Sequence, residues 1–402
     1  MKALSRRAAS LGTENAFVVL AEVERRQRGG EDILSFCIGQ PDFPTPDHIQ
    51  DAAIEAIRRG RHGYSPASGI AELRVAAAAD LNRRRGLSYS PDDVVVGAGA
   101  KPFIAYVIAS LTDYGVGDEV IYPVPGFPIY ESQIRAQGAQ PVALALREAR
   151  GFAFDPAELE RLISPRTRLL ILNSPHNPTG ALLARRDLEA IAEVLRAHPQ
   201  VWVYADEIYS RLVYDAEFVS IASLPGMAER TVVCDGVSKT YAMTGWRIGY
   251  AANRELAPVL SRWITNTESC AAQPSQWAAV AALTGPQDEA EAMARRFGER
   301  RDLIVELLNQ VPGFVCQRPG GAFYAWPNVS EACARIGVSD SEALRLRLLA
   351  EAGVAVLADR HFGPILAGEG QHLRFSYAAS EAVIRAGVAR VAAFMQAAST
   401  RC

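Results

Sequence analysis

The sequence lacks the paired cysteines that mark a zinc site or a dense disulfide framework. Its six cysteines are scattered over 402 residues, and no two of them form a C-x-x-C pair. This pattern is typical of a protein of a reducing compartment, so we expect a cytoplasmic location and no metal site.

Long apolar runs and blocks of like charge are also missing. The apolar run at residues 16–21 is soon broken by Glu22, Glu24 and Arg25, so it predicts neither a signal-peptide core nor a membrane span. The chain carries 42 basic and 45 acidic residues, a formal net charge of -3, and has no basic tail. Nucleic acid and anionic membranes are therefore poor candidates for its main partners.

No repeat of 20 to 50 residues and no Gly/Ser-rich or Pro-rich linker divides the chain, which argues against solenoids and strings of separate domains. Hydrophobic residues make up 49% and charged residues 22%, a balance typical of a globular protein. We therefore expect interwoven domains with a sizeable core.

Short apolar runs alternate with helical patterns through the first two thirds of the chain. Thr13 and Thr45 are candidate N-caps of helices that end near Gly29 and Gly60. The apolar runs that follow are rich in Val and Ile and lie at residues 94–96, 119–122, 169–172, 201–205, 231–234 and 248–251. This alternation predicts an α/β architecture with a buried, mainly parallel sheet.

The pattern changes after residue 285. Helical patterns at residues 289–308, 341–352 and 381–397 surround a Gly-rich strand region at residues 320–325. We predict a large α/β domain over residues 45–285. A smaller α+β domain would combine residues 1–44 with residues 286–402, since the N-terminal segment is too short to fold alone.

Ligands of open parallel sheets bind beyond the carboxyl ends of the strands, so the residues after each apolar run come first. Gly99, Ala100 and Lys101 follow the run at 94–96 and precede an apolar helix, where backbone N–H groups can hold an anion; a turn that only permits close packing is an equal alternative. Asn173 and Asn177 follow the run at 169–172. A local Asx turn explains the first of these but not the second, so we expect Asn177 to bind a ligand.

Charged residues follow the next two runs. Asp206 ends the run at 201–205, and a carboxylate there needs a cation or strong donors, which a salt bridge or a helix cap could also provide. Lys239 follows the run at 231–234 and is a candidate for a lowered pKa and Schiff-base chemistry, while Arg247 suits a phosphate. Either cation alone could be a solvated surface charge.

Four motifs follow one another in the order found in fold type I pyridoxal phosphate enzymes. They are N-S-P-H-N-P-T-G (173–180), A-D-E-I-Y (205–209), D-G-V-S-K-T (235–240) and T-G-W-R-I-G-Y (244–250). The chain resembles the class I/II aminotransferases of the aspartate aminotransferase superfamily almost from end to end, from Gly39 to the R-F-S-Y-A motif that begins at Arg374.

This resemblance implies pyridoxal 5'-phosphate as cofactor and a role for each site residue. Lys239 would form the Schiff base and shuttle the proton, and Asp206 would pair with the pyridine N–H. Tyr209 and Asn177 would hydrogen-bond the ring 3'-oxygen, and Phe127 would stack on the ring. The phosphate would be held by Gly99, Ala100, Lys101, Ser238, Arg247 and, from the other subunit of a homodimer, Tyr64.

The substrates implied are an amino acid and a 2-oxo acid, exchanged by a ping-pong cycle. Arg374 would bind the α-carboxylate, with help from Asn177 and the Gly39 backbone. Arg360 and His361 replace small residues of many relatives, and Arg360 either binds a distal carboxylate or is a surface arginine. A C-S lyase or another non-transaminating enzyme on the same fold is the main alternative. A cofactor-binding regulator would need a DNA-binding module, for which we expect no room before Gly39.

Overall fold

The structure is a computed structural model that describes residues 5–400. The helices, in chain order, are α1 (Arg6–Ser10), α2 (Asn15–Arg28), α3 (Asp47–Arg58), α4 (Ala71–Arg85), α5 (Lys101–Leu111), α6 (Ile129–Ala136), α7 (Pro156–Leu162), α8 (Arg185–Arg196), α9 (Ala257–Thr267), α10 (Gln273–Thr284), α11 (Asp288–Leu308), α12 (Ser330–Arg335), α13 (Ser341–Glu351) and α14 (Glu381–Ser399). The strands are β1 (Leu34–Ser35), β2 (Val94–Gly97), β3 (Glu119–Val124), β4 (Gln140–Ala145), β5 (Thr167–Asn173), β6 (Trp202–Asp206), β7 (Thr231–Gly236), β8 (Gly249–Ala252), β9 (Tyr324–Ala325), β10 (Val354–Ala355), β11 (Leu357–Ala358) and β12 (Leu373–Ser376).

The main sheet has seven strands in the order β2-β8-β7-β6-β5-β3-β4. Strand β8 alone is antiparallel to its neighbours, so the predicted α/β class and mainly parallel sheet are confirmed. All six apolar runs lie in this sheet. The edge strand β4 was missed, because its first four residues are only partly buried or exposed and include Pro141.

Helices cover both faces of this sheet. Along β5, Leu170 and Leu172 pack in one core cluster with α7 and α8, while Leu169 and Ile171 pack in another with α5, α6 and α9. Successive side chains of a strand point to opposite faces, so a strand buried on both faces is apolar throughout. This explains why the central strands were readable from composition alone.

The predicted N-caps of two early helices are wrong. The N-cap of α2 is Glu14 rather than Thr13, and the N-cap of α3 is Pro46. The hydroxyl of Thr45 instead donates to the carbonyl of Ala242 at 2.8 Å. A tertiary hydrogen bond has replaced the local cap.

The C-terminal part builds a second core around α11, α14, β9 and β12, which includes Phe297, Phe323 and Phe375. The N-terminal segment joins it, because β1 pairs in parallel with β10 and Phe36 packs in the same cluster. The domain boundaries at residues 44/45 and 285/286 stay a prediction. Among residues 5–400, none of the helices combines the length and the apolar character that crossing a membrane requires.

Candidate active site

A cavity of about 440 Å³ opens at the carboxyl ends of the central strands. Asn173 and Asp206 are register neighbours at the ends of β5 and β6, and Asp206 in turn pairs with Cys234 of β7, as expected for the ligand edge of a parallel sheet. The cavity brings together most of the predicted residues: Gly39, Ala100, Lys101, Phe127, Asn177, Asp206, Tyr209, Ser238, Lys239, Arg247 and Arg374.

Asp206 is a buried carboxylate without an ion-pair partner among residues 5–400. Its Oδ2 accepts a hydrogen bond of 2.7 Å from the hydroxyl of Tyr130. Burial raises the pKa of Asp206 to about 6, although the bond from Tyr130 and the charge of Lys239 oppose the shift. A cationic hydrogen-bond donor bound in the cavity would therefore stabilise the charged form of Asp206.

Lys239 lies in the loop after β7, and its Nζ donates to the carbonyl of Gly39 at 2.6 Å. Burial lowers the pKa of Lys239 to about 8, and the positive charges of Arg247, Arg374 and Lys101 lower it further, against the charge of Glu14. An amine with a pKa near neutrality has a usable neutral fraction and can act as a nucleophile or a base.

Arg374 in β12 is a buried guanidinium that points into the cavity. Its Nη1 donates to Oδ1 of Asn177 at 2.8 Å, its Nη2 donates to the carbonyl of Cys37, and its Nε has no partner. The ring of Tyr324 lies 4.5 Å from the guanidinium carbon. Arg374 forms no salt bridge with any residue of the range 5–400, so it can bind an anionic ligand.

The turn after β5 holds Asn177 in place. The backbone N–H of Asn177 donates to Oδ1 of Asn173 at 2.9 Å, and Nδ2 of Asn173 donates to the carbonyl of Asp206 at 3.0 Å. The Asx turn expected at Asn173 is not formed, because residue 175 is a proline without an N–H. The Asn173 side chain instead accepts from the N–H four residues on and so fixes the backbone at Asn177.

A small-residue turn forms the other end of the cavity, at the N-terminus of α5. Gly99 has a φ of +93° and allows Arg247 to approach, because a Cβ at position 99 would overlap the guanidinium. Nη2 of Arg247 donates to the carbonyl of Ala98 at 3.3 Å. Ser238 also lines this part of the cavity. Pro102 has no N–H, so the backbone N–H groups of Ala100 and Lys101, beside the Arg247 guanidinium, are the candidate phosphate ligands at this helix N-terminus.

Several residues of the cavity escaped the sequence reasoning, among them Tyr130 and Tyr324. Tyr130 lies three residues after Phe127 and supports Asp206, while the hydroxyl of Tyr324 hydrogen-bonds that of Tyr209 at 2.7 Å. The available signal was their position inside the P-G-F-P-I-Y and G-G-A-F-Y-A motifs. Gly39, which the sequence analysis did predict, packs against Tyr324, because a Cβ at position 39 would overlap the Tyr324 hydroxyl.

Three predicted residues have roles that stay predictions. The Lys101 side chain turns to Glu14, with Nζ to Oε2 at 2.5 Å. Tyr64 is 88% exposed and lies outside the cavity of its own chain, so its role across a dimer stays a prediction. Arg360 is exposed and does not line the cavity, which favours the surface-arginine alternative; its role toward a distal carboxylate also stays a prediction.

Comparison with known proteins places this geometry in a family. The model of aminotransferase class I and II matches residues 31–391. The aspartate/prephenate aminotransferase of Cereibacter sphaeroides is 40% identical over 91% of this chain and 92% of that protein, and the aspartate aminotransferase of Geobacillus stearothermophilus is 38% identical over 98% and 99%.

Solved structures agree with this assignment. The aspartate aminotransferase of Rhizobium meliloti has a TM-score of 0.92 at 36% identity, covering 98% of this chain and 99% of that one. The Thermus thermophilus aspartate aminotransferase with maleate has a TM-score of 0.90 at 36% identity, covering 98% and 100%. The chain therefore belongs to the class I and II aminotransferases.

Proposed function

We propose that this protein is a pyridoxal phosphate-dependent aminotransferase that moves an amino group from an amino acid to a 2-oxo acid by a ping-pong cycle. The observation that carries the proposal is one cavity with three groups: the amine of Lys239 with a lowered pKa, the buried carboxylate of Asp206 and the buried guanidinium of Arg374.

The residues present fit the cofactor. Asp206 would accept the pyridine N–H, which gives its buried charge the cation it lacks. The α5 N-terminus, Ser238 and Arg247 would hold the phosphate. The turn before α5 needs glycine at position 99, because a Cβ there would overlap the Arg247 guanidinium. Phe127 presents an aromatic ring on the cavity wall, against which the cofactor ring could stack. The amine of Lys239 could react with the aldehyde group of the cofactor.

The remaining residues bind and orient the substrate. When bound, pyridoxal phosphate withdraws electrons from the Cα of an attached amino acid and so makes the Cα proton acidic. Arg374 would bind the substrate α-carboxylate while Asn177 holds the guanidinium in place. Lys239 would then move the proton at the substrate Cα. Tyr209 and Asn177 are proposed to hydrogen-bond the 3'-oxygen of the cofactor.

We also propose a homodimer with shared sites, in which Tyr64 reaches the phosphate of the neighbouring subunit. Its high exposure leaves it free for such a contact. Mixing Tyr64→Ala and Lys239→Ala subunits should restore part of the activity through hybrid sites. Confirmed subunit exchange without any gain in activity would contradict the shared site.

A cytoplasmic location remains part of the proposal; the five described cysteines form no disulfide.

A half-reaction tests the function directly. The purified protein with pyridoxal phosphate should be yellow, and an amino acid alone should convert the cofactor into its amine form and release a 2-oxo acid. A 2-oxo acid added afterwards should reverse the change. Release of ammonia with return of the original spectrum would instead indicate a lyase and would refute the proposal.

A further inference from the structure

The charged residues of the cavity divide into two groups, if the proposed function holds. Four have roles toward the cofactor or the α-carboxylate. Two remain for the substrate side chain, namely Glu14 and Lys101. The full set that lines the cavity is Glu14, Lys101, Asp206, Lys239, Arg247 and Arg374.

Glu14 and Lys101 form a salt bridge on the cavity wall. Oε2 of Glu14 lies 2.5 Å from Nζ of Lys101, which also lies 5.3 Å from the ring centroid of Phe127 and 5.5 Å from that of Phe17. Glu14 is the N-cap of α2, where the helix dipole favours a negative charge. The salt bridge therefore keeps the Glu14 carboxylate at this wall, and that carboxylate neutralises the charge of Lys101.

The side chain of Glu14 is part of the cavity wall. Its side chain is 19% exposed, and it lines both the main cavity and a small neighbouring cavity that Arg374 and Phe362 also line. Its negative charge raises the pKa of Lys239 inside the cavity. A substrate whose α-carboxylate is bound by Arg374 would thus extend its side chain into a region under the influence of Glu14.

We infer that Glu14 is a specificity-determining residue that disfavours substrates with a distal carboxylate and favours those with an uncharged side chain. A second carboxylate would face Glu14 at short range, and Lys101 is already paired, so like charges would meet in a partly buried site. An amide in the same place would avoid the repulsion and could donate to Glu14, while Phe17 and Ile38 supply apolar surface.

Amide and acid pairs test this inference, since they differ chiefly in charge. The ratio of kcat/KM for aspartate to that for asparagine, and for glutamate to that for glutamine, should rise about tenfold in Glu14→Gln. Glu24→Gln is the matched control, because Glu24 is exposed on the same helix α2 and lies outside the cavity. An unchanged or lower ratio in Glu14→Gln would overturn the inference.

Binding separates this inference from the proposed function. Calorimetry of the holoenzyme with succinate and with its half-amide succinamate needs no turnover. Glu14→Gln should strengthen succinate binding about tenfold relative to succinamate. A protein that shows this shift but transaminates no amino acid would contradict the proposed function and support Glu14. The absence of any shift would refute the role of Glu14, whatever the activity.

Discussion

Asp206 and Glu207 are consecutive acidic residues at the end of β6, both buried, with opposite surroundings. Glu207 accepts from Nε of Arg85 at 2.5 Å and from the hydroxyl of Ser220 at 2.5 Å. The same Arg85 also pairs with Asp235. Asp206, in contrast, accepts hydrogen bonds from the hydroxyl of Tyr130 at 2.7 Å and from the N–H of Ile208 at 3.5 Å, and forms no salt bridge within residues 5–400.

This difference separates a structural charge cluster from a ligand site. Burial opposes the charge of Arg85, but the carboxylates of Glu207 and Asp235 outweigh it and raise its pKa. That cluster is complete within the chain. Asp206 and Arg374 are incomplete, and a buried charge without a partner costs stability until a ligand supplies one. The pairing state of a buried charge is thus a guide to its function.

The largest effect is expected when the amine that carries the chemistry of the cavity is removed. Lys239→Ala should lower turnover about a thousandfold or more, since the proton transfer loses its base. It should also lose the borohydride-reducible link to the cofactor, which mass spectrometry can follow. Lys101→Ala should keep that link. A Lys239→Ala protein that retains it would show that another lysine holds the cofactor.

Removing the cation of the complete cluster formed by Arg85, Glu207 and Asp235 should lower the stability of the protein. Arg85→Met leaves Glu207 and Asp235 buried without their cation, so the free energy of unfolding should fall by about 3–5 kcal/mol. Urea denaturation of the cofactor-free protein measures this change. Arg59→Met, at an exposed pair on the surface with Glu55, should change it by less than about 1 kcal/mol. Equally small losses of unfolding free energy in both variants would show that the buried Arg85 cluster stabilises the fold no more than a surface ion pair does.

Asp206→Asn should raise the free energy of unfolding of the cofactor-free protein, whereas Arg85→Met should lower it. The folded pKa of Asp206 is raised to about 6 from 3.8, so folding retains a proton that the unfolded chain releases, and stability falls as the pH rises through this window. At pH 7 the variant should be more stable than the wild type by up to about 3 kcal/mol. Below pH 3.8 this advantage should vanish. A variant less stable than the wild type at pH 7 would contradict the idea of an incomplete site.

The smallest effect is expected at Arg360. Its side chain is exposed and outside the cavity, so Arg360→Ala should change kcat/KM for dicarboxylic and neutral substrates by the same factor, within about twofold. A selective loss of about 1–3 kcal/mol for the dicarboxylic substrate would show that Arg360 does bind a distal carboxylate.

The sequence was most informative where local pattern and position coincide. Asp206, Lys239 and Asn177 were found because each follows an apolar strand of a parallel sheet. The pairing of Lys101 with Glu14 was not, since 87 residues separate them and no local period links them. Arg85 was missed for the same reason. It ends a helix rich in arginines, and its two partners lie 122 and 150 residues away.

If the proposed cofactor completes the incomplete charges of the cavity, the lifetime of the protein would depend on the supply of that cofactor. A molecule that binds only the folded chain adds about 2.7 kcal/mol of stability at a concentration of 100 Kd. A cell short of the cofactor would therefore hold more of this chain in the unfolded state, which proteases remove. The abundance of the enzyme would then follow cofactor concentration without any dedicated regulator.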